Sequence, residues 1–200
     1  MIHCYSRHRL RDAQTEVWWV YVHLGGYGEI EKRLSQLLAW TVGPPRIFVA
    51  ADSDRLNSIH VSLTQKKIRQ ACEGRNIPFR ILNKREIENY LPASLLAHAN
   101  KTTVLTAFLK LTQDQRDYYE MKHGFRLLNT GQAEIPPEQI NLYDGVNGHV
   151  RRDLCGGFGA NVFELFRTKR TFLRQEDIER LCPREPNEIQ AMLDEIERIL

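Results

Sequence analysis

The sequence predicts an α/β fold, a parallel sheet with helices on both faces, followed by a helical extension. Three observations carry this reading. Apolar runs rich in β-branched and aromatic residues recur at 16–24, 46–54 and 77–82. The intervals between them place apolar residues at helical spacing. The runs themselves are nearly continuous rather than alternating, as strands covered on both faces require.

In order, "EVWWVYVHL" (16–24) reads as a buried strand closed by Gly25 and Gly26. Trp18 and Trp19 within it read as sheet-covering residues. "GEIEKRLSQLLAW" follows with Ile30, Leu34, Leu37 and Leu38 on one helical face, and Pro44 and Pro45 end it. "RIFVAADSD" is the second strand, "SLTQKKIRQACEGRN" an amphipathic helix ended by Gly74, and "IPFRIL" the third strand. Beyond residue 84 the pattern turns helical. "REIENYLPASLLAHA", "KTTVLTAFLKLTQDQRDYYEMKHG" and "GANVFELFRTKR" each suit a helix, as do 175–181 and 186–200. Between them, 129–150 is rich in Gly, Pro and Asn and reads as a long loop. The organisation expected is an α/β domain over 1–96 and a mainly helical extension over 97–200.

The chain has 200 residues, 42% of them hydrophobic and 26% charged, which describes an ordinary globular protein with a real core. A net charge of +3 permits a nucleic-acid partner without arguing for one. No apolar run reaches the roughly 20 residues that span a bilayer, and the N-terminus lacks the apolar centre of a signal peptide. Cys4, Cys72, Cys155 and Cys182 are widely spaced and form no CxxC pair, which reads as reduced cytoplasmic thiols. His3, Cys4 and His8 form the nearest approach to a metal cluster and fall on a terminus. There is no P-loop.

The chemistry gathers at two places. The strand 46–54 runs into Asp52 and Asp54, and residues i and i+2 of a strand face the same side. Two carboxylates so placed repel unless a cation sits between them. They also fall at the carboxyl end of a parallel strand, where open α/β sheets bind ligands. Mg²⁺ takes such oxygen ligands together with phosphate oxygens. A loop-capping role explains an isolated DxD equally well. DxD also occurs in sugar-nucleotide transferases and in phosphatases with an aspartyl nucleophile. The second place is "NKREIENYLPASLL" (83–96), directly after the third strand, with Glu86 and Glu88 acidic and Lys84 and Arg85 basic. A charged first turn is its plain explanation, and its position on the same sheet edge as the DxD is what singles it out.

"AADSDR" followed by a helix, a short strand and "KREIENYL" resembles the Toprim domain of OLD-type nucleases and related anti-phage defence proteins. "YYEMKHGF" (118–125) and "GGFGANVFELF" (156–166) resemble downstream segments of the same group, so the likeness covers about 17–170. It implies a metal-dependent nuclease cleaving DNA or RNA phosphodiester bonds with Mg²⁺ or Mn²⁺. Asp52 and Asp54 match the family's DxD ligands, Glu88 its downstream acidic residue near a second metal, and Lys122 a lysine beside the scissile phosphate. An ABC-type ATPase partner, or an N-terminal region carrying one, is also implied.

The family has a further glutamate at the end of its first strand, one βα unit before "VWWVYV". Residues 1–16 are mostly polar, and neither Glu16 nor Glu29 follows the right apolar run. The resemblance therefore implies that this strand comes from elsewhere or that the site has lost a ligand. In the latter case the chain is a non-catalytic nucleic-acid-binding or regulatory fragment. For the nucleic acid itself, Arg151, Arg152, Arg167, Lys169 and Arg170 are the candidate phosphate contacts, with a solvated basic face as the alternative. "GGFG" reads as a turn allowing close packing.

Overall fold

The structure is a computed structural model that describes residues 29–40, 47–169 and 188–199. The strand expected at 16–24 lies outside the described residues, as do the helix at 175–181 and Arg170.

The chain is mixed α/β with a small parallel sheet. Helix α1 (Ile30–Trp40) leads to strand β1 (Val49–Ala51), helix α2 (Leu63–Glu73) and strand β2 (Phe79–Ile81). The two strands pair in parallel, Val49 opposite Phe79 and Ala51 opposite Ile81. Ser62 caps α2 by accepting a hydrogen bond from the Gln65 amide at 3.1 Å, so the helix starts where the apolar spacing says it should. One sheet face packs on Ile30 and Leu34 of α1 and on Ile68, Ala71 and Cys72 of α2.

The rest is more broken than the apolar spacing suggests. The stretch 85–99 is a 3₁₀ turn (Ile87–Tyr90), helix α3 (Ala93–Leu96) and a second 3₁₀ turn (Ala97–Ala99) instead of one helix. Pro92 explains the break, because it carries no amide hydrogen to continue the ladder. The expected helix 101–124 is likewise two, α4 (Thr102–Leu109) and α5 (Gln113–Asp117). Thr112 begins the second with a reciprocal capping box to Gln115.

The region 129–150 is no bare loop. A hairpin of β3 (Arg126–Leu127) and β4 (Ala133–Glu134) leads to a 3₁₀ turn (Pro137–Gln139) and helices α6 (Ile140–Tyr143) and α7 (Gly148–Asp153). Helix α8 (Glu164–Thr168) and helix α9 (Glu188–Glu197) complete the described chain.

The larger of the two apolar cores among the described residues runs from Leu82 to Ile196, drawing on residues either side of position 96. Its centre is aromatic: Phe125 stands edge-on to Tyr143 at 4.8 Å and to Tyr119 at 5.5 Å, and Phe158 edge-on to Phe108 at 5.5 Å. Helix α9 closes this core with Ile189, Met192, Leu193 and Ile196, while Glu195 pairs with Arg80 of β2 at 2.5 Å. Strand β2 thus contacts helices from both ends of the sequence. Among the described residues no helix is long and apolar enough to cross a membrane.

Candidate functional site

Both strands end in loops tied to each other. The Leu82 amide donates to the Ala51 carbonyl, and the amides of Ser53 and Asp54 both donate to the Arg85 carbonyl. Ser53 is fully buried, with its hydroxyl on the Lys84 carbonyl at 2.7 Å. Its own carbonyl accepts from the Ser62 hydroxyl and the Gln65 side-chain amide. This polar knot fixes the turn that carries Asp52 and Asp54 beside the segment 83–88, at the carboxyl edge of the sheet.

The two aspartates part company here. Strand β1 stops at Ala51, and Asp54 adopts a left-handed conformation (φ 51°), so strand alternation does not set its direction. Asp54 is exposed, whereas Asp52 is half-buried and accepts a hydrogen bond from the Ile87 amide at 2.8 Å. That bond brings it next to Glu88. Burial first, and the Glu88 carboxylate second, push Asp52 up to about 6, against the opposing pull of the Ile87 amide and Lys122.

Glu88 is 1% exposed. Its Oε1 pairs with the Lys122 ammonium at 3.1 Å, and its Oε2 is buried with no hydrogen-bond partner. Burial works to lower the Lys122 pKa, but the charge of the Glu88 carboxylate above all outweighs it and holds the ammonium charged. Of the four residues singled out from sequence, the structure therefore gathers Asp52, Glu88 and Lys122 tightly, with Asp54 on the rim.

The segments quoted above for their family likeness interlock at this point. "KREIENYL" docks on 116–122 through six contacts. Lys84 pairs with Asp117 at 2.8 Å, and the Arg85 amide donates to the Asp117 carbonyl. The Arg85 guanidinium pairs with Glu120 at 2.7 Å, and the Asn89 side-chain amide donates to the carbonyls of Arg116 and Tyr119. Glu88 meets Lys122 in the sixth. The "GGFG" run lies along the other side of Lys122, where the Phe158 amide donates to the Met121 carbonyl and the Gly159 amide to the Lys122 carbonyl. Gly157 (φ +54°) allows this approach, since a Cβ there would stand 2.7 Å from the Lys122 carbonyl.

Sequence reasoning missed one partnership. Glu86 and Glu120 form a carboxyl pair beside Arg85, about 35 positions of chain apart, with no periodic signal to announce it. Burial and then the Glu120 charge push Glu86 up, to about 9, so Glu86 keeps a proton. Burial also works to raise Glu120, but Arg85, the hydrogen bond with Glu86 and the His123 amide bring it down.

As a cation site the donor set is lean. Among the described residues no group of three or more His, Cys, Asp or Glu side chains is gathered to hold a metal. Asp52 and Glu88 offer two carboxylates, one of them with a buried orphan oxygen. That suits a hard divalent ion that takes one or two protein carboxylates and completes its shell with water and phosphate oxygens.

The basic residues fall in two places. Arg151 and Arg152 lie on α7; Arg167, on α8, is held by Glu164 at 2.7 Å, and Lys169 follows that helix. No family model, no curated protein and no solved structure matches this chain. Its function is read from its own residues.

Proposed function

We propose that this chain is a metal-dependent nuclease module of the OLD-type Toprim kind, cleaving phosphodiester bonds of DNA or RNA. On this reading it acts beside an ABC-type ATPase in defence against phage. One observation carries it: a half-buried aspartate, a fully buried glutamate with an orphan oxygen, and a lysine meet where the exits of β1 and β2 are tied together. Two neighbouring carboxylates served by one ammonium leave negative charge that a cation would offset. Asp52 and Glu88 would hold Mg²⁺ or Mn²⁺, with Asp54 reaching it through water. When bound, the ion supplies Lewis-acid polarisation of a phosphate oxygen.

The chain's own residues do the rest. Asp52, raised by burial and by Glu88 in the metal-free chain, would be held ionised by the ion it binds. The Lys122 ammonium offsets negative charge accumulating on phosphate oxygens. Arg85 and Glu120 hold the turn that presents Glu88.

Calorimetric titration of Mn²⁺ into the chain, set against Asp52→Ala combined with Asp54→Ala, tests the metal. Nicking of supercoiled DNA and of RNA in the presence of the ATPase partner tests the chemistry. Identical titrations for both proteins would end the metal reading.

A second reading has its own observation. Lys122 already neutralises one oxygen of Glu88, which is what a nucleic-acid-binding or regulatory module without a metal would look like. If Mn²⁺ heat is missing from the native chain and develops in Lys122→Met, that reading replaces the first.

A further inference from the structure

A second place on the molecule has the features of a ligand site. A pocket of about 550 Å³ opens between the β3–β4 turn (Gly131, Gln132, Ala133) and the start of α7 (Asn147, His149, Arg151, Arg152). No lining residue is acidic, and no lining side chain is larger and more apolar than an alanine methyl. The volume suits a ligand of roughly mononucleotide size. Such a lining would grip charge and oxygen rather than a hydrophobic body or a base.

The two guanidiniums are differently placed. Arg151 is half-buried, and no hydrogen bond or ion pair engages its guanidinium among the described residues. Its nitrogens are not among the buried, unpartnered ones, so the fork is open to an anion entering the pocket. Arg152 donates to the Nδ1 of His149 at 3.3 Å. An arginine can only donate, so neutral His149 carries its proton on Nε2 and is itself a donor. The nearest hairpin acid, Glu134, is engaged by Arg126 at 3.4 Å. Two arginine forks and an imidazole N–H thus stand over one cavity with no carboxylate on its walls.

We infer that this pocket binds a terminal phosphate group, a phosphomonoester or diphosphate, rather than the internal phosphodiesters of a duplex. Two planar forks match a doubly charged group with three free oxygens better than a singly charged diester with two. A concave cavity of this size admits a strand end or a free nucleotide and excludes a duplex side-on. The site is built from other elements than those carrying Asp52 and Glu88, and it stands whether or not those residues hold a metal.

The test is titration of inorganic pyrophosphate into the full chain by calorimetry. Saturable binding is expected in the native chain and in Asp52→Asn. It should weaken about tenfold or more in Arg151→Gln and in Arg152→Gln, since each charge-assisted fork is worth at least a factor of ten. Arg69→Gln, on α2 and outside the pocket, should bind as the native chain does. Circular dichroism checks the fold of each variant, and exposed Arg152 and His149 provide substitutions that spare the core if Arg151→Gln fails to fold. Competition separates the sources of the phosphate. Displacement of pyrophosphate by a 5′-phosphorylated oligonucleotide and not by its 5′-hydroxyl counterpart indicates a strand end, and displacement by AMP alone indicates a free nucleotide. No saturation up to about 10 mM, well above the range of a useful site, or equal weakening in Arg69→Gln, would overturn the inference.

Discussion

Replacing Asp52 by asparagine should make the protein more stable at alkaline pH. In the fold Asp52 titrates near 6 instead of its ordinary 3.8, chiefly because it is buried and secondly because Glu88 lies beside it. Between those two values the native state binds more protons than the unfolded chain, so stability falls as pH rises through that window. The gap corresponds to roughly 3 kcal/mol once Asp52 is fully ionised. Asparagine removes this penalty, and its side-chain oxygen can still accept from the Ile87 amide. That gap is already net of the attraction to Lys122; asparagine adds an amide N–H2 that needs partners in the same half-buried space, so a net gain of about 1–2 kcal/mol is expected near pH 8.

Urea unfolding at about pH 5 and pH 8 reads this directly. The advantage of Asp52→Asn should shrink at the lower pH, where native Asp52 carries its own proton. Mn²⁺ should also narrow the gap at pH 8, because an ion bound only by the native fold adds about 1.4 kcal/mol at ten times its dissociation constant. A variant less stable than the native chain at pH 8, or a difference that ignores pH, would show that Asp52 is not held in an unbalanced acidic site.

Three further outcomes follow from the same contacts. Lys122→Met leaves Glu88 buried without its cation and should cost about 2–3 kcal/mol near neutral pH, below the full cost of breaking a buried pair because Lys122 is about a third exposed. Protonation of the unpaired Glu88 carboxylate removes the uncompensated charge, so the deficit should shrink on acidification, as thermal melts at two pH values will show. Lys84→Met removes the partner of Asp117 and a donor to the Asn89 carbonyl, both in buried surroundings, and should cost about 3 kcal/mol in urea unfolding. Gly157→Ala should destabilise by about 2 kcal/mol or more, since its Cβ would press on backbone atoms of Lys122 and Gly124; Gly156→Ala, with open space around it, bears only the left-handed penalty of about 1–2 kcal/mol. Paired melts of the two variants separate crowding from backbone conformation.

What sequence could and could not supply depends on the range of the interaction concerned. Helices α1 and α2 were legible because their signals are local: Ile30 and Leu34 one turn apart, and Ser62 three residues before Gln65. Apolar spacing alone overstates helix length where punctuation interrupts it. Pro92 and the Thr112–Gln115 capping box were in plain view and divide the two long helices expected over 85–99 and 101–124. Asp54 leaves the strand alternation for another reason. The strand ends at Ala51 because Ser53 turns inward to bond with Lys84, Ser62 and Gln65, partners 9 to 31 residues away. The pairing of Glu88 with Lys122 and of Arg85 with Glu120 is likewise beyond any periodicity. Resemblance, not spacing, pointed to Lys122, and nothing pointed to Glu120.

The composition of the site then follows from what the fold must tolerate there. Asp52, Glu86, Glu88 and Glu120 converge with Arg85 and Lys122, so carboxyl groups outnumber cations. One excess is absorbed by the proton on Glu86 and another is felt as the raised titration of Asp52. A core selected for stability alone would replace such a group with apolar side chains of similar volume, often at a gain of 1–4 kcal/mol. Instead, the surrounding chain is shaped to keep it. Ser53 anchors the turn before it, Asn89 ties the segment behind it to 116 and 119, and Gly157 gives up its side chain so that Lys122 can lie close. Three separate stretches accept a cost or a constraint for one cluster of charge, and each constraint acts on the position of Asp52, Glu88 or Lys122. Rescue of Asp52→Asn stability by nothing but the loss of its charge would show that cost directly, and a matching loss of Mn²⁺ binding would show its purpose.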